Sequence, residues 1–175
     1  VRVRRLGRDD LPLVEAHLLA LAPADRHARF GAGRGDAAVA AYARGLDPSR
    51  ARLVGGVDGP SGRLVGLAEA HPAEAPGAYE IAVSVHSDHR GQGLGRRLAA
   101  AAVAAAFAAG AATAEFHYGP GNRAVARLAA ALGARFPSFP SPPGRAVIEH
   151  YAGAAAAAAR QQSAADGPWR CPEAA

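Results

Sequence analysis

The sequence predicts a mixed α/β domain in which a mostly antiparallel sheet of about seven strands is flanked by helices. Three features carry this expectation. Three apolar runs follow one another between residues 52 and 85, and the first two are joined by the turn sequence "DGPSG". A single strand–helix–strand unit comes next, "AYEIAVSV" to "AATAEF" across a long alanine-rich segment. No further βαβ unit and no internal repeat appears, which argues against a doubly wound sheet.

"VRVRRL" alternates as a first strand. In "GRDDLPLVEAHLLAL" a helix begins: Asp9 is placed to cap, Pro12 suits the first turn, and Leu11, Val14, Leu18 and Leu21 recur on one face. "PADRHARF" and "GDAAVAAYARGL" read as two short helical pieces. "RLVGGV" and "GRLVGLAEAH" form the hairpin, and "AYEIAVSV" is a fourth strand. Gly93 to Ala109 is a helix with Leu94, Leu98, Ala101 and Ala105 in line, ended by Gly110. A fifth strand, "AATAEF", precedes the helix "NRAVARLAAALG", capped by Asn122 and stopped by Gly133. "ARF" reads as a short sixth strand and "RAVIEHY" as a seventh. Residues 1–151 form the expected domain; the alanine-rich tail 152–175 is expected to be frayed or disordered.

At 175 residues the chain suits one domain with a proper core. All 20 basic residues are arginine, and half the composition is apolar largely through alanine. That bias reduces the weight of the formal charge of +5 as a sign of nucleic-acid binding. The basic residues are scattered without an aromatic stacking platform, so no nucleic-acid partner is expected. One cysteine, Cys171, excludes an internal disulfide framework and a cysteine-based metal site. The histidines lack metal-ligand spacing, and no metal is expected. The N-terminus lacks the apolar core of a secretory signal and no segment suits a membrane span, so a cytoplasmic protein without membrane contact is the expectation.

The segment "HRGQGLGRRL" concentrates glycine and arginine just before the long helix. It fails the dinucleotide fingerprint in both registers, since Arg96 and Leu98 stand where the last glycine belongs, and it lacks the lysine of a P-loop. What fits is R-x-x-G-x-G over Arg90, Gly91, Gln92, Gly93, Leu94 and Gly95. Glycines allow backbone N–H groups to turn toward a ligand, and a helix start adds unpaired donors. Hydrogen bonds to a charged acceptor contribute about 1.5–3 kcal/mol each, against about 0.3–1 for the helix dipole. Backbone geometry therefore outweighs bulk positive charge in binding a diphosphate.

On this turn and its surroundings, residues 1–151 resemble the GNAT superfamily of acyl-CoA-dependent N-acyltransferases. The resemblance implies that Arg90 to Gly95, with Arg96, cradle the pyrophosphate of acetyl-CoA. It implies that the backbone of Val83, Ser84 and Val85 pairs with the pantetheine arm, and that the fourth and fifth strands splay around the acyl group. "NRAVARLAAALGAR" is similar to the later helix of that superfamily, whose opening asparagine, here Asn122, contacts the cofactor. Ala134 replaces a usual phenylalanine, and Ala129 stands where many members carry a general-acid tyrosine. "LAPADRHARFGAG" and "YEIAVSV" resemble GNAT domains of bacterial protein lysine acetyltransferases, which have glutamate at the position of Glu80.

Acyl transfer needs a neutral amine. Deprotonating a lysine side chain at neutral pH costs about 4–5 kcal/mol, against about 1 for an α-amine. A base therefore matters most for lysine, and Glu80 is the candidate. Alternation groups Glu80 with Ala82 and Ser84 on one face, and whether that face opens on the amine depends on any bulge in the strand. Glu69 reads as an exposed strand-end charge. Glu115, His117 and Tyr118 fall near where the leaving thiolate forms; Tyr118 could donate a proton there but reads first as a loop tyrosine packed on the surface, and His86 and His89 read as polar loop residues. The expected activity is direct acetyl transfer from acetyl-CoA to an amine, a protein lysine first and a small-molecule amine as the alternative. The rival is a non-catalytic acyl-CoA-binding module. Lacking lysine, the chain offers no lysine side chain of its own as acceptor.

Overall fold

The computed structural model describes residues 1–31, 33–119, 121–137 and 144–150. Six strands form one sheet in chain order: β1 (Arg2–Leu6), β2 (Arg52–Val57), β3 (Leu64–Pro72), β4 (Ala78–Val85), β5 (Thr113–His117) and β6 (Arg145–Glu149). All neighbours pair antiparallel except β4 with β5, whose crossover holds the longest helix among the described residues, α4 (Leu94–Ala108). The expected mixed sheet is therefore present with one strand fewer. The "ARF" segment supplies only a bridge, Arg135 to Val147, with two 2.8 Å backbone bonds. Pro137 follows at once and has no N–H to extend the ladder.

Three helices, α1 (Leu11–Leu19), α2 (Pro23–Phe30) and α3 (Asp36–Arg44), come between β1 and β2; α5 (Arg123–Ala131) follows β5. The start of α1 differs from expectation. A short 3-10 turn over Arg8–Asp10 precedes it, and Asp10 rather than Asp9 is the engaged carboxylate. Asp10 accepts the N–H of Gly7 at 2.9 Å and both Nη atoms of Arg4, tying the turn to β1. Asn122 does cap α5, accepting from the Val125 N–H at 3.2 Å. Tyr151 and the tail 152–175, including Trp169 and Cys171, lie outside the described residues.

One face of the sheet packs a cluster containing Val54, Val65, Ala68, Ile81 and Phe116 against α4 and α5. The other packs Leu53, Leu64 and Leu67 against Val14, Leu18 and Val39 of α1 and α3. In α4 the buried stripe is Leu94, Leu98, Ala99, Ala102, Val103 and Ala106, with the expected Ala101 and Ala105 at its margins. A Cβ at Gly66 would stand 2.6 Å from Leu98 Cδ1, so glycine in β3 lets this small-residue helix lie close. No helix among the described residues is long and apolar enough to cross a membrane. Leu98 is fully buried at the centre of this packing. Leu98→Ala is expected to cost about 2–5 kcal/mol in chemical denaturation, as large-to-small core changes do.

Candidate active site

β4 and β5 pair at only three positions, Ala78 with Thr113, Tyr79 with Ala114 and Glu80 with Glu115. β4 continues to Val85 with β3 on its other side and no register shift. The opening thus comes from the end of the parallel ladder and not from a bulge in β4. The His86 N–H bonds Val65 O at 3.0 Å, which sets the alternation along the β3–β4 ladder. It turns the backbone of Ser84 and Ala82 toward β3, and that of Val83 and Val85 toward the gap. A cleft of about 510 Å³ fills this gap.

At one end of the cleft lies the glycine turn. Gly91 and Gly93 have φ of +72° and +75°, a region that side-chain-bearing residues rarely occupy, and a Cβ at either would point into open space. Gly93 is the N-cap of α4, whose first turn has neither a side-chain cap bond nor an acidic residue. The first N–H groups of a 15-residue helix are therefore offered to the cleft beside two glycines. The Arg90 side chain is engaged otherwise. It donates from Nε to Val85 O at 2.9 Å and pairs with Asp25 of α2 at 2.6 Å, fixing the turn to the end of β4 and to α2.

The face of the sheet toward α1–α3 carries a polar row that register creates: His71 opposite Glu80, and Glu80 opposite Glu115. Glu80 is exposed and borders the cleft. Glu69, expected as an exposed strand-end charge, is instead fully buried beneath α2 and α3. Its carboxylate accepts from Arg29 at 2.7 Å, Tyr42 at 2.6 Å and His71 at 2.9 Å. Burial opposes its ionisation, but the Arg29 charge and these donors prevail and bring its pKa down to about 2. The phenol of Tyr42 is pushed up by burial and by the Glu69 charge. Arg29 itself reaches the cleft wall.

Of the expected site residues, Glu80, Val83, Ser84, Val85, Arg90, Gly91, Gly93, Leu94, Gly95 and Asn122 all border this one cleft. Gln92 and Arg96 do not; both are exposed, and Gln92 bonds Asp88 O weakly at 3.4 Å. Asn122 Oδ1 serves the helix cap, which leaves its amide nitrogen for a ligand. The walls missed from sequence are Asp25, Ala28 and Arg29 on α2 and Ala124, Val125 and Arg127 on α5. Only the N-terminal stretch "PADRHARF" carried a signal for the first group; nothing local marked the second. His117 also borders the cleft, held by Glu115.

This fold sets a glycine-lined helix start at one end of a cleft that opens where β4 and β5 part. The family model described as Acetyltransferase (GNAT) family matches residues 17–134, and the chain belongs to that family of acetyl-CoA-dependent acyltransferases. Among solved structures, the GNAT domain of S. lividans PAT is similar with a TM-score of 0.70 and 19% identity, covering 85% of this chain and 90% of that one. The ribosomal-protein-alanine N-acetyltransferase of Brucella melitensis is similar at TM-score 0.63 and 17% identity, covering 86% and 100%. The putative acetyltransferase yncA of Salmonella typhimurium, solved with acetyl-CoA, gives 0.58 and 19%, covering 85% and 92%. Comparison with curated proteins gives no match.

A buried histidine secures β4 beside the cleft. His17 of α1 bonds Leu64 O through Nδ1 at 3.1 Å, and Ser84 Oγ through Nε2 at 2.8 Å. A carbonyl only accepts, so Nδ1 carries the proton and Nε2 accepts from the Ser84 hydroxyl. His86 stacks on it at 4.5 Å and donates to its carbonyl at 3.2 Å. Burial, then repulsion from His86, brings the His17 pKa from 6.5 down to about 4. Between those values the unfolded chain holds a proton that the native state refuses, so stability falls as pH drops below 6.5. We expect urea denaturation to show a loss of about 2–3 kcal/mol between pH 7 and 4.5, mostly absent in His17→Gln. An equally steep fall in that variant refutes the assignment.

Proposed function

We propose that the protein transfers an acetyl group from acetyl-CoA directly to a primary amine, with a protein lysine as the preferred acceptor. The observation that carries this reading is the continuity of one cleft, from the glycine turn at the start of α4, along the open edge of β4, to Glu80. The donor set fits a coenzyme. Main-chain N–H groups of the turn and of the first turn of α4 suit a diphosphate, and the Asn122 amide lies on the same wall. The gap-facing peptides of Val83 and Val85 suit the amides of a pantetheine arm laid as an added strand, and Ser84 lies between them. Bound acetyl-CoA supplies the activated thioester. Glu80 then takes the amine proton, directly or through water, at the end where the two strands meet. Residues 1–151 constitute the catalytic domain in this reading.

Lysine as acceptor rests on the resemblance of the Glu80 strand and the α2 segment to protein lysine acetyltransferases. A small-molecule amine is the alternative; it would use the same base and the same coenzyme wall. The test combines calorimetry with acetyl-CoA and thiol release over a panel of lysine peptides and small amines. We expect Gly93→Val to weaken acetyl-CoA binding about tenfold or more, by straining φ and filling the cradle. Glu80→Gln is expected to retain acetyl-CoA binding while kcat falls about 10²-fold. Coenzyme binding without turnover on any amine would favour the non-catalytic module.

A further inference from the structure

A second proton-handling group stands across the gap from Glu80. Among the ionisable side chains that border the cleft, Asp25 is committed to Arg90, and the arginines remain charged. Glu80, His89 and His117 are left. His89 belongs to the loop before the glycine turn, at the far end of β4. Glu80 and His117 lie near the other end, where β4 parts from β5.

Alternation fixes the face of His117. Ala114 and Phe116 are buried in the cluster under α4, so Glu115 and His117 project to the face that carries Glu80. The Glu115 carboxylate is held by Arg145 of β6 at 2.7 and 3.0 Å, and accepts from His117 Nε2 at 3.1 Å. The Arg145 hydrogen bonds outweigh burial and keep Glu115 below its ordinary pKa, so it is an acceptor. His117 Nε2 therefore carries hydrogen, and Nδ1 holds the free lone pair. Nδ1 has no protein partner among the described residues, and the side chain is 49% exposed. A carboxylate that orients an imidazole, itself locked by an arginine, is a fixed base facing a cleft. The other charged or titratable groups around that cleft are Glu80 on β4, Asp25 and Arg29 on α2, His89 and Arg90 before α4, and Arg127 on α5.

We propose that His117 is a catalytic proton shuttle of the acetyl-transfer reaction, with Glu115 and Arg145 as its positioning residues. This rests on the acetyl-transfer reading above. The amine nitrogen bonds to the acetyl carbon as the C–S bond breaks. Glu80 takes the first proton of the ammonium and releases it to solvent; the second, lost as nitrogen bonds to carbon, goes to Nδ1 of His117 and from there to the departing sulfur, so the enzyme is unchanged after each turnover. With Nε2 held on Glu115 and Nδ1 open to the cleft, the imidazole can accept a proton and give it back at the same atom, which assigns the return of the proton to His117. Ala129, buried on α5, offers no acid at the alternative position.

The test uses the full chain and an amine that the parent acetylates, with kcat and KM measured across pH. His117→Ala and His117→Gln are expected to lower kcat about 10²-fold and leave KM for acetyl-CoA within about threefold. They should also abolish one limb of the pH–kcat profile, and added imidazole should restore part of the rate to His117→Ala. Glu115→Gln should shift that limb, which a purely structural role would not do. Unchanged kcat and pH profile in both His117 variants, with parental thermal melting, overturns the shuttle but leaves acetyl transfer standing. A parent that binds acetyl-CoA yet acetylates no amine overturns both.

Discussion

The early end of the β4–β5 ladder is the constraint on which the site depends. Past Ile81, the gap-facing peptides of Val83 and Val85 have no β5 partner. A peptide left without a hydrogen bond on burial costs about 1–3 kcal/mol, so such an edge is stable only facing water or a ligand that restores the bonds. Arg90 satisfies one of these groups, the Val85 carbonyl, and in doing so draws the glycine turn against the strand end. The opening between the strands and the glycine turn are therefore joined through one side chain.

Ion pairs, with Phe30 packed on the ring of Tyr42, place α2 over this opening. None of its residues is buried. It is held by Arg26 to Asp36 and to the Leu19 carbonyl, by Arg29 to Glu69, and by Asp25 to Arg90. Of these, the Arg29–Glu69–Tyr42–His71 cluster is the most enclosed. Removing one partner of a buried pair is far more harmful than replacing the pair whole, because the other charge is stranded. The cluster therefore fixes where α2 and α3 sit on β3. It also brings Arg29 to the cleft wall.

The glycine turn, the caps at Asn122 and Gly133 and the apolar face of α1 were legible because each is a local event. Positive φ at Gly91 and Gly93 is demanded by consecutive residues, and an asparagine three residues before a free N–H caps a helix wherever that helix lies. Glu69 was misread for the opposite reason. Its burial is produced by Arg29 and Tyr42, which stand 40 and 27 residues away in the chain. "ARF" has strand composition, yet it forms only one bridge because Pro137 stops the ladder.

The sequence alone determined the order of elements, the phosphate-type turn and the candidate carboxylate Glu80, since periodicity, caps and glycine geometry act within a few residues. Tertiary structure decided which groups share the cleft. Register laid His71, Glu80 and Glu115 in one row, and the Glu115–Arg145 pair oriented His117. Pairing between strands distant in the chain depends on packing across the whole sheet, and no local pattern encodes it.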